Sequence, residues 1–178
     1  LVGHSWGAML ALAYAATPHG RVAGLALIGC GTFDRAARDR MKSIQKERTD
    51  DDLRQRLEQL PEEYPDIDER LRVRGKLIQQ LDSYELISTD RDEEAVDARA
   101  NQETWQDMIR LQGEGIYPAA FAAIHEPVIM LHGDYDSHPG RMIRANLQPF
   151  IRQLEYRELK RCGHYPWLER AAHEEFFA

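Results

Sequence analysis

A chain of 178 residues with 23 Lys and Arg against 30 Asp and Glu carries a formal net charge of -7. That length suits one domain around a single core, and an acidic balance without a concentrated basic run excludes nucleic acid as the main partner, since phosphate recognition gathers Lys and Arg on one surface. No apolar stretch reaches the roughly 20 residues of a membrane span, so no membrane partner is expected, and no signal peptide is visible.

The first residues carry the strongest signal. Apolar Leu1 and Val2 lead into Gly3-His4-Ser5-Trp6-Gly7, and a helix-forming run from Ala8 to Ala16 follows. The order is strand, sharp turn, helix. Glycines two residues either side of a serine leave room for a turn so tight that the serine sits in strained backbone geometry with its hydroxyl exposed. Ser5 is the expected nucleophile. Leu1 is not an initiator methionine and only two residues of the entry strand are present, so the chain reads as the C-terminal part of something longer.

After a turn at Pro18-His19-Gly20, residues 21–31 form a continuous apolar run, the pattern of a strand buried on both faces. Composition then shifts. Residues 41–60, 67–87 and 92–112 are charged and helix-periodic, the first two separated by Pro61 and Pro65. Runs such as Asp50-Asp51-Asp52 and residues 90–94 read individually as solvated faces and caps. The whole stretch, falling between two strands on the edge that carries the serine, reads as a lid. Trp105, Met108 and Leu111 are spaced as the buried stripe of its third helix.

Val128 to Gly133 is a second buried strand, 140–151 a helix, and Leu154 to Leu159 a third strand leading into Cys162-Gly163-His164. Residues 167–178 begin an amphipathic helix. Strands alternating with helices predict an α/β fold, a mostly parallel sheet with helices on both faces. Three segments follow: 1–33 and 125–178 as core, 34–124 as helical insertion. Cys30 and Cys162, few and far apart, read as reduced buried thiols in a cytoplasmic protein.

A serine hydroxyl needs a histidine to take its proton and a carboxylate to hold that imidazole. Both occur in the order Ser, Asp, His. His164 follows the last strand in Cys162-Gly163-His164-Tyr165-Pro166-Trp167, and Asp134 and Asp136 both follow the strand ending at Gly133. His138 is the competing base because it follows the acid loop. His4, His132, His19, His125 and His173 read as structural or solvated, and no pair of histidines with a carboxylate shows metal-ligand spacing. No cofactor or metal is expected.

From the GHSWG pentapeptide through LHGDYDSHPG to CGHYPWLE, the chain resembles the serine branch of the α/β-hydrolase superfamily over nearly its whole length. The resemblance implies Asp136, three residues after Gly133 with Pro139 shortly beyond, as the acid in preference to Asp134. Asp134 then caps local backbone amides, and Asp34, after the strand end at Gly31, is a remote option. It implies the backbone N–H of Trp6 as one oxyanion donor, a second from an earlier strand, and several further strands beside the first. A serine at the elbow disfavours the haloalkane dehalogenase and epoxide hydrolase branches, which need a carboxylate nucleophile.

The expected activity is hydrolysis of an ester, amide or related acyl bond in a small molecule or short peptide. G-H-S-W-G is also reminiscent of the proline iminopeptidase group, whose helical lid binds a free amino terminus through acidic residues; Glu93, Glu94 and Glu103 are candidates here. Ala8 stands where that group usually has a further glycine. A non-catalytic binding protein of the same fold is the alternative from another class. Trp6, Tyr84, Trp105, Tyr117 and Phe121 are candidate pocket aromatics.

Overall fold

The computed structural model describes residues 1–88 and 95–178. Four strands, β1 (Val2–His4), β2 (Leu25–Ile28), β3 (Val128–Gly133) and β4 (Leu154–Leu159), lie in the order β1-β2-β3-β4, and every neighbouring pair is parallel. Register aligns Leu25 with Val128 and Val128 with Leu154, so Leu25, Leu27, Val128, Met130 and Leu154 stand on one face. Two helices pack on that face: α1 (Trp6–Ala15) presents Ala8, Met9, Ala11, Leu12 and Ala15, and α6 (Gly140–Leu147) presents Ile143 and Leu147. The 8, 11/12, 15 spacing is one stripe of a 3.6-residue helix. On the opposite face Ala26, Ile129 and Leu131 are only half-buried.

Strand β2 is shorter than its apolar run, because Gly24 precedes it and Gly29, at a φ of 51°, ends it. Strands β3 and β4 coincide with their predicted runs. Between β2 and β3 the described residues form four α-helices, α2 (Arg35–Arg48), α3 (Asp51–Glu63), α4 (Ile67–Leu81) and α5 (Ala98–Gly113), and a 3-10 turn at Ala119–Ala123. The expected single helix over 41–60 is broken at Thr49, which turns extended, and Asp50 caps a new start by accepting from the Leu53 N–H. Asp34, Asp66 and Asp97 do the same for α2, α4 and α5, satisfying amides that have no partner within the helix. Pro61 lies in the last turn of α3 rather than before a break.

The final segment is a 3-10 turn at Pro166–Leu168 and a short helix α7 (His173–Phe177), not one amphipathic helix. Of the predicted stripe on α5 only Met108 is buried, while Trp105 is 37% exposed. Both cysteines are buried and free, and burial pushes the Cys30 thiol up to about 12. No described helix is long and apolar enough to cross a membrane.

Candidate active site

Ser5 occupies the turn between β1 and α1 at φ 55° and ψ -116°, a left-handed backbone that costs a non-glycine residue about 1 kcal/mol or more. Its backbone is nonetheless pinned: the Ser5 N–H donates to the Ile28 carbonyl at 2.8 Å, and its own carbonyl accepts from Ala8 at 3.1 Å. Gly3 is required, since a Cβ there would lie 2.3 Å from the Gly7 carbonyl oxygen. Gly7 has open space around it, so only one of the two elbow glycines is enforced by crowding.

The loop after β3 carries Asp136, and the loop after β4 carries His164. Backbone bonds from Asp134 to Leu159 and from Tyr135 to Cys162 tie the loops together. His164 Nδ1 lies 2.7 Å from Asp136 Oδ2, with both groups buried. A carboxylate only accepts, so the proton sits on Nδ1 and leaves Nε2 as the basic nitrogen. The imidazole rests against Gly29, where a Cβ would come within 2.9 Å of Nδ1. Ser5 and His164 therefore share one end of β2, at Ile28 and Gly29. Among the described residues the ring's hydrogen bond is to Asp136, and none runs from the Ser5 hydroxyl to His164.

Asp136 serves more than one histidine. His138 donates to its Oδ1 from both Nδ1 and the backbone N–H, each at 2.9 Å, and the His138 ring stacks on His164 at 4.5 Å between centroids. His132, fully buried, places Nε2 2.9 Å from the His138 carbonyl and 3.2 Å from Asp136 Oδ2. Burial alone would raise the Asp136 carboxyl, but His164, His138 and His132 outweigh it and hold it well below the usual range. Burial lowers His132, whose Nδ1 has no partner. The ligand atoms of Asp136, His138 and His164 lie within 4.8 Å of one another. The contacts among them are hydrogen bonds at 2.7 and 2.9 Å.

The other candidates lie elsewhere. Asp34 is spent on capping α2. Asp134 is exposed and reaches the Cys162 N–H at 3.4 Å and Lys160 at 3.5 Å, so its amide partner is across the sheet edge rather than local. His4 is no bystander to His164: its Nε2 lies 2.9 Å from the His164 carbonyl and the rings are 4.6 Å apart. Glu93 and Glu94 lie outside the described residues. Phe121 is core, packed on Phe33, and Tyr84 packs on Tyr135. Trp6 meets Trp105 edge to face at 5.5 Å, and a cavity of 320 Å³ beside them is lined by Glu103, Asp107, Met108 and Tyr117 among others.

The sequence matches the family described as "Alpha/beta hydrolase family" over residues 1–178. The chain belongs to that family. Solved structures agree on the fold of this family member: VinJ at 16% identity and a TM-score of 0.57, covering 99% of this chain and 63% of that one. A lipase in open form gives 18% and 0.54, covering 98% and 60%. Proline iminopeptidase from Mycobacterium smegmatis gives 15% and 0.53, also covering 98% and 60%. The chain thus spans somewhat under two thirds of these relatives. No curated protein sequence matches it.

Two carboxylates of this hydrolase-family chain escaped the sequence reading. Asp82, at the end of α4, is buried, accepts the His164 N–H on its backbone carbonyl at 2.8 Å and leaves Oδ1 unpartnered. Burial raises its carboxyl. Glu169, also buried, accepts from the Tyr84, Glu85 and Gly163 amides at 2.7, 2.7 and 2.8 Å. Asp82 follows no motif and Glu169 only closes the CGHYPWLE stretch, because what places them is contact between segments more than 80 residues apart.

Proposed function

We propose that this chain is a serine hydrolase in which Ser5 is the nucleophile, His164 the base and Asp136 the acid. The observation that carries the reading is the buried 2.7 Å His164–Asp136 hydrogen bond at the end of β2 where Ser5 is pinned in a strained turn. His164 Nε2 takes the Ser5 proton as Oγ attacks the substrate carbonyl, and Asp136 stabilises the resulting imidazolium. The oxyanion collects on the Trp6 N–H, an amide at the first turn of α1 with no partner within the helix. Collapse passes the proton to the leaving alcohol or amine, and water releases the acid from the acyl-enzyme by the same steps. The 34–124 helices act as the lid over a small-molecule or short-peptide substrate. Free, buried cysteines fit a cytoplasmic location.

An aminopeptidase is the second reading, favoured by Glu103 on the cavity beside Trp6, where a substrate ammonium would find a carboxylate. Fluorophosphonate labelling of the chain and of folded Ser5→Ala and His164→Ala variants tests the hydrolase. Labelling lost in both variants is expected; labelling retained in Ser5→Ala, or absent from the folded parent, sinks the assignment. Turnover of p-nitrophenyl butyrate without turnover of proline p-nitroanilide would reject the aminopeptidase.

A further inference from the structure

We infer that His138 is a positioning residue for His164, acting through the Asp136 carboxylate that the two imidazoles share, and that a proton taken up on His138 weakens the pair. The effect on rate presupposes the serine hydrolase reading above; the shared carboxylate does not.

Asp136 offers one oxygen to each ring. Oδ2 accepts from His164 at 2.7 Å, and Oδ1 accepts from the His138 ring and backbone at 2.9 Å each. With two donors on Oδ1, the carboxylate cannot rotate without losing both, so its plane and the direction in which Oδ2 meets His164 are fixed by His138. A phenyl ring could stack as His138 does, at 4.5 Å and 17° to His164, but could not hold that oxygen.

Protonation reverses the benefit. Once His138 is a cation, the Asp136 charge is already compensated, and a stacked like charge opposes the imidazolium that His164 must become. The groups facing His138 are Asp136 in its own loop, Asp82 from the end of α4, His132 from β3 and His164 from the loop after β4. Burial pulls the His138 imidazole down, and Asp136 and Asp82 outweigh it, holding His138 above the ordinary histidine range. Asp134, Arg141, Glu158 and Lys160 line the outer side of the same cleft, but pair among themselves, Arg141 with Glu158 at 2.7 Å and Lys160 with Glu158 and Asp134 at 3.0 and 3.5 Å.

The test combines the pH dependence of fluorophosphonate labelling with spectra of protein carrying 15N-histidine, for the parent, His138→Gln, His138→Phe and Asp136→Asn. The parent is expected to show two far-downfield Nδ1–H resonances, both displaced in Asp136→Asn. Its labelling rate should fall on the acid side in two steps, against a single step of about tenfold per pH unit in the His138 variants. An acid limb of unchanged steepness and midpoint in a folded His138 variant overturns the inference. So does a parent with a single downfield Nδ1–H, a result that stands even if every variant fails to melt cooperatively. If the folded parent does not label at all, the hydrolase reading falls, and the shared carboxylate is decided by the spectra alone.

Discussion

Gly29 closes β2 at a φ of 51°, and its missing side chain is the floor on which His164 rests. Alanine there meets two penalties: about 1 kcal/mol for a left-handed backbone, and a Cβ 2.9 Å from Nδ1 of a ring already fixed by Asp136. Backbone strain affects stability, whereas displacement of the ring affects chemistry. Gly29→Ala should therefore melt only slightly lower, while fluorophosphonate labelling slows at least about tenfold, as misplacement of a base by a fraction of an ångström implies. Equal labelling rates in a folded variant would show that His164 does not bear on the reaction. The strand-end glycine was visible in the sequence as part of an apolar run, but its contact was not. Ser5 is marked by its glycine-flanked pentapeptide and His164 by the strand before it, whereas that reading of strands leaves Asp134 and Asp136 both open and only the family resemblance prefers Asp136. His138 and His132 were visible only as histidines near an aspartate, and Asp82 had no local signal at all.

At the level of elements, the helical stretch is tied to the His164 loop by a short antiparallel seam. Leu86 bridges Glu169, the Ile87 N–H donates to Leu168 at 2.7 Å and the Arg170 N–H to Glu85 at 2.9 Å. Glu169 is the centre of this seam, its two oxygens taking three amides from both sides with no exposure to water. A carboxylate so placed is not replaceable by solvent. Glu169→Ala leaves three amides without their acceptor, the buried one of Gly163 and the part-buried ones of Tyr84 and Glu85, at roughly 1–3 kcal/mol where water cannot take the acceptor's place, so a loss on the order of 3 kcal/mol in urea unfolding is expected. A change below 1 kcal/mol would mean that the seam is held by its backbone pairs alone. Helix existence in this stretch was readable from charge periodicity, but helix number was not. The run at Asp50 reads as faces and caps without saying which, and it is the Asp50 side chain accepting from Leu53 that starts a second helix, so the break at Thr49 follows from that competition between side chain and backbone.

For the molecule as a whole, the acidic surface and the buried imidazoles make stability a function of pH with identifiable contributions. Asp136 is held well below the ordinary carboxylate range by the three histidines despite its burial, so its contribution is present above about pH 4 and is lost as pH falls toward its folded value. His132 is lowered by burial, so it adds stability above about pH 6.5 and loses it on acidification. His138 is raised and Asp82 is raised, and both act in the opposite direction: each favours the fold while protonated, and gives that up as pH climbs through its folded value. The opposing histidines flatten the curve near neutrality, whereas Asp136 dominates below pH 4, where its partners lose their counter-charge. Replacing it isolates that share. Asp136→Asn should cost about 3 kcal/mol at pH 7, the scale for breaking a buried ion pair, and the gap between its denaturation curve and the parent's should hold down to about pH 4 and narrow steadily below it. A gap that does not narrow below about pH 4 would show that the three imidazoles do not hold Asp136 ionised in the folded state.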